Sequence, residues 1–272
     1  MSSRIGGHMA ATGRNCYRSA MCTVVILRRP GHNWPILIGA NRDEMAGRSW
    51  ERPGRHWPER ENVVAGIDLL AGGTWMGLND EGVVACILNR RDSLGPDPDL
   101  RSRGEIVLEA LDHADADDAA QALSGLDGRS YRSFNLIVAD NRDAFWLSSR
   151  GPVDEGRVKV TEVPEGLSMV TAFDMNDIAS ARTRHFRPLF EGAVAPDPEA
   201  GDWAAWQALL ASTDYATDTD ARDAMQIETD IGFGTLSSSL VALPSINKND
   251  TKPVWLFANG APGEASFEPV AV

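Results

Sequence analysis

The first residues that could do chemistry are Met21 and Cys22, which stand just before a run of β-branched residues. If Met21 is removed, Cys22 gains a free α-amino group with an ordinary pKa of about 7.7–8.0. An α-amine can serve as a base for the side chain of its own residue and so activate a thiol as a nucleophile. The pattern predicts an N-terminal cysteine nucleophile; taken alone, Cys22 also fits a small apolar residue that opens a strand.

A polar run, Asn41-Arg42-Asp43-Glu44, follows the apolar segment Pro35–Ala40 directly. If this segment pairs with Cys22–Arg29 as a hairpin, the end of the second strand lies near the start of the first. Arg42 would then lower the pKa of the Cys22 thiol. Asp43 could hold the charged α-ammonium through a charge-assisted hydrogen bond. The alternative is a charged turn exposed to solvent.

Apolar patterning predicts the elements that hold these groups. Strand patterns occur at Asn62–Leu69, Thr74–Leu78, Val83–Leu88, Ser133–Asp140, Ala144–Ser148, Thr235–Leu243 and Lys252–Asn259. Helical patterns occur at Gly104–His113, Ala116–Leu126, Asp177–Phe190 and Asp202–Ala211. Ser102 followed by Glu105 predicts a capping box at the first helix. Adjacent hairpins favour antiparallel sheets with helices as outer layers, so the predicted fold class is α+β.

The overall charge limits the partners of the protein. The chain has 272 residues and a formal net charge of −13. Broad nucleic-acid binding needs a positive field, and so does adsorption to anionic membranes, so we predict neither. A local basic pocket is compatible with this charge, because Arg42, Arg48, Arg52 and Arg55 lie in one stretch.

Cysteine and histidine usage points to a protein without a disulfide framework, metal or cofactor. The three cysteines are few and odd in number, which favours a reducing, cytoplasmic compartment. The five histidines show no metal-ligand spacing. No apolar run approaches the roughly 20 residues that a transmembrane helix needs. The sequence gives no oligomeric state.

The first 20 residues contain no acidic residue and no apolar signal segment. We predict that residues 1–20 are a disordered leader or upstream extension, with a short transit peptide as the alternative. Residues 21–272 show no repeat and no convincing linker, so we predict that they form one domain.

Several motifs together resemble the NRDE family, which includes the transport-and-Golgi-organisation proteins. The opening pair is Met21-Cys22-Thr23 and Gly39-Ala40-Asn41-Arg42-Asp43-Glu44. Further family-like segments are Gly72–Asn79 (GGTWMGLN), Asn89-Arg90, Ser102-Arg103-Gly104, Phe134-Asn135-Leu136, and Gly234-Thr235 with Ser237-Ser238. The resemblance spans nearly everything from Met21 to the last strands.

This family is similar in turn to the cysteine-type N-terminal-nucleophile hydrolases, such as choloylglycine hydrolases and penicillin V acylases. The resemblance implies a four-layer αββα sandwich of two antiparallel sheets. It implies that Cys22 attacks a carbonyl and that Arg42 lies by the thiolate. Asp43 would orient the amine, and Asn89 would occupy an oxyanion-hole position. The residues predicted to bind substrate are Asn41, Trp75 and Asn79.

The sequence departs from the hydrolase pattern at two places. Ser168–Asp174 has no Asn at the expected position, and Thr235–Ser239 has no Arg. Arg182 and Arg184 could supply the missing positive charge, or they could be ordinary surface residues of a helix.

Two functions therefore compete. One is a hydrolase that cleaves an amide or ester of a small or amphipathic substrate through Cys22. The other is a non-catalytic carrier, for which the resemblance implies an apolar or amphipathic ligand such as haem, a lipid or an acyl-CoA.

Overall fold

The computed structural model describes residues 22–93, 95, 97–248 and 251–272. The predicted leader and Met21 lie outside the described residues. The strands are β1 Thr23–Arg28, β2 Ile36–Met45, β3 Trp50–Gly54, β4 Val63–Asp68, β5 Met76–Asn79, β6 Val84–Asn89, β7 Phe134–Ala139, β8 Ala144–Ser149, β9 Lys159–Glu162, β10 Gly166–Val170, β11 Phe233–Leu243, β12 Val254–Ala258 and β13 Phe267–Pro269. The α-helices are α1 Gly104–Leu111, α2 Ala116–Ser124, α3 Ala181–Gly192 and α4 Ala204–Leu210.

The strands form two antiparallel sheets. The first sheet has the order β10-β1-β2-β11-β12-β13, and the second has the order β3-β4-β5-β6-β7-β8-β9. The predicted hairpins β1–β2, β4–β5 and β7–β8 are all present. In the described residues, no helix has the length and apolar composition needed to cross a bilayer.

The two-residue period of the strands sorts side chains into three buried layers. Val24 and Ile26 of β1 pack between the two sheets, whereas Val25 packs against α3 and α4. On the far side of the second sheet, α1 and α2 cover a third cluster that includes Leu136. The layers therefore run helix, sheet, sheet, helix, and the predicted αββα sandwich is confirmed.

The apolar pattern does not predict four of the described strands, and all four lie at sheet edges: β3, β9, β10 and β13. Edge strands are half covered and short, so they carry no continuous apolar run. The segment Trp50–Gly54 also contains Pro53, which an edge strand tolerates because one side of its backbone needs no partner.

One strand is longer than predicted, and one local prediction was wrong. The predicted strand Pro35–Ala40 continues as β2 through the polar run Asn41–Glu44, because β11 pairs with it as far as Met45, and this excludes the alternative of an exposed turn. The capping box of α1 is absent: Arg103 holds the N-cap position without a side-chain cap bond. Glu105 instead pairs with Arg101 at 2.7 Å.

The N-terminus of α1 packs directly against the loop before β5. A Cβ on Gly104 would lie 2.7 Å from the Thr74 nitrogen, and a Cβ on Gly73 would lie 2.6 Å from the Gly104 carbonyl carbon. The Thr74 N–H also donates to the Gly104 carbonyl oxygen at 3.3 Å. This close approach joins two of the family-like motifs, GGTW and SRG.

We predict that Gly104→Ala lowers the free energy of unfolding by about 1–3 kcal/mol, because the added methyl group must push two backbone segments apart. Urea denaturation measures the change. Gly192→Ala is the matched control, since it lies in α3 and its Cβ would meet nothing within 4 Å. Equal stability of the two variants would contradict the close contact.

Candidate functional site

The β1–β2 hairpin brings Cys22 beside Asp43. The Asp43 N–H donates to the Cys22 sulfur at 3.4 Å, and the thiol contacts the Asp43 carbonyl oxygen at 3.5 Å. Cys22 is half-buried at the wall of a cavity of ≈ 450 Å³. The predicted proximity of Cys22 to the polar run is therefore confirmed.

Burial controls the protonation of Cys22. It raises the pKa of the thiol to about 12, and the negative charge of Asp43 acts in the same direction. The Asp43 backbone N–H and Arg42 lower this pKa, but they do not offset the burial. With the chain intact, the Cys22 thiol is neutral at pH 7. The predicted direction of the Arg42 effect, a lower thiol pKa, is therefore present, and in the uncleaved chain burial outweighs it.

Arg42 reaches the cavity from between the two sheets. Its guanidinium carbon lies 4.2 Å from the Trp75 ring centroid and 5.4 Å from that of Trp50, and the residue is 6% exposed. Gly66 makes room for this arrangement, because a Cβ there would overlap the Trp75 ring. The two indoles stabilise Arg42 through cation–π contacts in place of water.

The Asp43 carboxylate is fully buried in a polar network with residues from other elements. Arg182 of α3 donates to Oδ2 at 3.0 Å, and Thr235 of β11 donates to Oδ1 at 2.7 Å. Arg182 also donates to the Thr23 hydroxyl at 2.8 Å. Burial raises the pKa of Asp43, while Arg182 and Thr235 act to lower it. The network fastens β1, β2, β11 and α3 together next to Cys22.

The cavity is lined by the end of β2, the β4–β5 hairpin, β6 and the start of α1. Its charged and aromatic wall residues are Arg42, Asp43, Glu44, Arg48, Asp68, Trp75, Asp97, Arg101, Arg103, Glu105 and Arg132. Of the four arginines predicted as a local basic pocket, Arg42 and Arg48 lie here. The other two pair elsewhere, Arg52 with Glu268 and Arg55 with Asp80.

The structure brings five of the seven predicted site residues to this cavity: Cys22, Arg42, Asp43, Trp75 and Asn89. The sequence assigned Asn89 to an oxyanion hole and Asp43 to the α-amine, and both roles stay predictions. Both Asp43 carboxylate oxygens already accept hydrogen bonds from Arg182 and Thr235.

The other two predicted residues use their amides to hold backbone segments. Asn41 donates to the carbonyls of Leu210 and Met225 at 2.9 Å each. Asn79 donates to the carbonyls of Leu111 and His113, at 3.0 and 2.7 Å, and so closes the end of α1. Their predicted substrate contacts stay predictions, and their observed contacts are structural.

Two arginines matter more than the sequence indicated. Arg182, one of two candidates for a missing positive charge, is the buried partner of Asp43, whereas the other candidate, Arg184, pairs with exposed Asp218. Arg103 was matched to a family motif but given no role, and it lines the cavity. The only signal for Arg103 was its place in the Ser102-Arg103-Gly104 motif.

Breaking the Asp43–Arg182 pair tests the buried network. We predict that Arg182→Met lowers the free energy of unfolding by about 3–5 kcal/mol, since it leaves a buried carboxylate uncompensated. The double variant Arg182→Met/Asp43→Asn should recover part of the lost free energy of unfolding, because it no longer buries a carboxylate. Arg129→Met, at an exposed ion pair with Asp127, should leave the urea midpoint unchanged. A midpoint for Arg182→Met equal to that of Arg129→Met would contradict the network.

Alkylation tests the protonation of Cys22. With a pKa of about 12, the thiolate fraction of the full-length chain rises about tenfold per pH unit between pH 8 and 10. We therefore predict that the iodoacetamide rate at Cys22 rises by the same factor, as followed by peptide mass spectrometry. Buried Cys86, whose pKa burial also raises to about 12, is the internal control and should stay unlabelled. A plateau near pH 9, as for an ordinary thiol, would refute the raised pKa.

Comparisons with known proteins agree with the motifs. The family model for Transport and Golgi organisation 2 matches residues 21–243. The Transport and Golgi organization 2 homologues of Mus musculus and Homo sapiens are each 32% identical over 114 residues. These matches span 39% of this chain and 38% of each relative.

Among solved structures, a variant of conjugated bile acid hydrolase from Clostridium perfringens aligns with a TM-score of 0.51 at 11% identity. The alignment covers 92% of each chain, and it shows a shared N-terminal-nucleophile hydrolase-like fold. A Caenorhabditis elegans N-acylethanolamine-hydrolyzing acid amidase orthologue aligns with a TM-score of 0.47 at 13% identity, over 80% of this chain and 92% of its own. From the family match over residues 21–243, the chain belongs to the Transport and Golgi organisation 2 family.

Proposed function

We propose that this protein is a cysteine N-terminal-nucleophile hydrolase that cleaves an amide or ester, and that it becomes active when the peptide bond before Cys22 is cut. The observation that carries the proposal is the position of the Cys22 sulfur. It lies at the wall of a ≈ 450 Å³ cavity and accepts a hydrogen bond from the Asp43 N–H at 3.4 Å, and Arg42 lies beside it.

Removal of the preceding residues would change the electrostatics of Cys22. A free α-amine places a titratable group on the same residue as the thiol. Its charged form lowers the thiol pKa, and its neutral form takes the thiol proton. The Asp43 N–H and Arg42 already favour the thiolate, so the new amine acts together with them.

The reaction would then proceed in two acyl transfers. The α-amine takes the proton of the Cys22 thiol, and the sulfur attacks the carbonyl carbon of the substrate. The tetrahedral oxyanion collapses to a thioester on Cys22 as the amine or alcohol leaves with that proton. Water, deprotonated by the same α-amine, then attacks the thioester, releases the acid and restores the thiol.

Asn89 is the residue that we assign to the oxyanion. It ends β6 and lines the same cavity as Cys22. A preorganised amide N–H aimed at the developing charge is typically worth about 2.7–4 kcal/mol of transition-state stabilisation.

The test places a protease site directly before Cys22 and cleaves the folded chain. We predict that the cleaved protein hydrolyses p-nitrophenyl esters and carries an acyl mass on Cys22, whereas the uncleaved protein does neither. Cys22→Ala should reduce turnover to the buffer rate. Cys86→Ala is the matched control, because Cys86 is buried between the sheets, and it should keep turnover.

Absence of both turnover and Cys22 acylation in the cleaved protein would overturn the proposal. The carrier function would then remain, since it needs the cavity but not the nucleophile. Native mass spectrometry of the intact chain would support the carrier function if it detected a co-purified small molecule.

A further inference from the structure

Several arginines line the cavity, although the chain as a whole has a net charge of −13. Most of them are neutralised by neighbouring carboxylates. Arg48 pairs with Asp68 at 2.6 Å, Arg101 with Glu105 at 2.7 Å, and Arg132 with Asp97 at 3.4 Å. Of the two remaining wall carboxylates, Glu44 lies 3.7 Å from Arg48, and Asp43 pairs with Arg182 at 3.0 Å.

Arg103 differs from these arginines. Its Nη1 donates to the Ser93 carbonyl at 2.9 Å, to the Ser93 hydroxyl at 3.0 Å and to the Ser133 carbonyl at 3.1 Å. All three acceptors are neutral. Within the described part of the chain, its Nε and Nη2 make no hydrogen bond, and no carboxylate forms an ion pair with it. Arg103 therefore brings to the cavity a positive charge that no direct ion pair in the described residues neutralises, and only the more distant Glu44 favours it.

The surroundings of Arg103 oppose this charge. Burial, with a smaller contribution from neighbouring Arg132, lowers its pKa to about 10, although the negative charge of Glu44 acts in the opposite direction. A negative charge on Cys22 would likewise raise this pKa, so the two residues are near enough to interact electrostatically. A buried cation without an anionic partner costs free energy, which an anionic ligand would offset.

The backbone next to Arg103 adds to the positive potential. Arg103 is the N-cap of α1, and Gly104 and Glu105 of its first turn line the same cavity. The N-terminus of a helix carries partial positive charge, which favours anions. The first N–H groups of α1 already donate within the chain, Gly104 to the Ser102 hydroxyl and Glu105 to the Ser102 carbonyl, so the helix end contributes potential and not hydrogen bonds. The contact of Gly104 with Gly73 fixes this helix end against the second sheet.

We propose that the Arg103 guanidinium, at the positive end of α1, binds an anionic group of the ligand, a carboxylate or a phosphate. The part of this inference that concerns the substrate rests on the proposed function: the substrate of Cys22 is then an acyl compound that carries a negative charge. One end of the substrate binds Arg103 through a two-pronged guanidinium contact, and its acyl carbon reaches the Cys22 sulfur in the same cavity.

Anion binding is tested without any hydrolysis. The full-length chain with Cys22→Ala is titrated calorimetrically at low ionic strength with glutarate, with inorganic phosphate and with the neutral diamide glutaramide. We expect binding of glutarate or phosphate that weakens with added salt, and no binding of glutaramide. The tighter of the two anions identifies the group as carboxylate or phosphate. Binding of neither anion at millimolar concentration, or equal binding of glutaramide, would overturn the proposal.

The role of Arg103 itself is tested by substitution in the same background. Arg103→Gln should weaken anion binding at least about tenfold, the scale of one lost hydrogen bond to a charged group. Arg103→Lys should bind with intermediate affinity, since it keeps the charge but loses the planar fork. Arg129→Gln, at the exposed Asp127 pair, should bind as the parent does. Unchanged affinity in a folded Arg103→Gln would overturn the assignment.

Arg103→Gln also removes contacts to Ser93 and Ser133, so circular dichroism must confirm its fold. If it does not fold, the comparison of glutarate with glutaramide on the parent still decides whether the cavity binds anions, and Arg103→Lys decides whether the guanidinium is the ligand.

A second measurement separates this inference from the proposed function. The chain cleaved before Cys22 should hydrolyse the p-nitrophenyl monoester of glutarate with a lower KM than p-nitrophenyl valerate. Anion binding without any ester cleavage would reject the hydrolase but keep the anion site. Ester cleavage with no preference for the charged ester, in a chain that binds no anion, would reject the anion site but keep the hydrolase.

Discussion

The pairing of β2 with β1 on one side and with β11 on the other is the constraint from which the site follows. Because β11 pairs with β2 as far as Met45, whereas the pairing of β1 ends at Asn41, residues 41–44 keep the alternation of a strand. Asp43 therefore faces α3 and Arg182, while Arg42 faces the second sheet and Trp75. A free turn at this place would leave both charges in water. The strand instead uses one of them for stability and presents the other to the cavity.

Much of the fold, and the arrangement of residues around Cys22, could be predicted from local sequence. A short hairpin connects β1 to β2, so the proximity of Cys22 to Arg42 and Asp43 needs only the pairing of adjacent strands. The same holds for the two-sheet sandwich, whose inner strands carry long apolar runs. The edge strands, being half covered, have no such signal. The sequence also could not show that the strand continues through Asn41–Glu44, because its partner β11 begins almost 190 residues later.

The rest of the site depends on contacts between distant segments. Arg182 reaches Asp43 across 139 residues, and nothing in its helix distinguishes a buried arginine from a surface one. The contact of Gly73 with Gly104 is likewise invisible until the two segments are packed. Asn41 and Asn79 show a further limit of the sequence: it suggested substrate contacts for amides within a motif, and it could not show that the fold also uses these amides to satisfy backbone carbonyls. A motif identifies residues that matter but does not say whether they contact the ligand or the chain.

Under the proposed function, the free-energy balance at Cys22 explains how the site can be inert in the intact chain and reactive after cleavage. Burial dominates in the intact chain and keeps the proton on the sulfur, although Arg42 and the Asp43 N–H oppose it. Interaction between charges grows as the surroundings become less polar, so the burial that raises the thiol pKa also strengthens the effect of any positive charge placed next to the sulfur. An α-ammonium created at Cys22 is such a charge, at the shortest distance that the chain allows. Under the proposed function, cleavage before Cys22 thus acts as the switch, and the aromatic and charged wall need not move for the nucleophile to form.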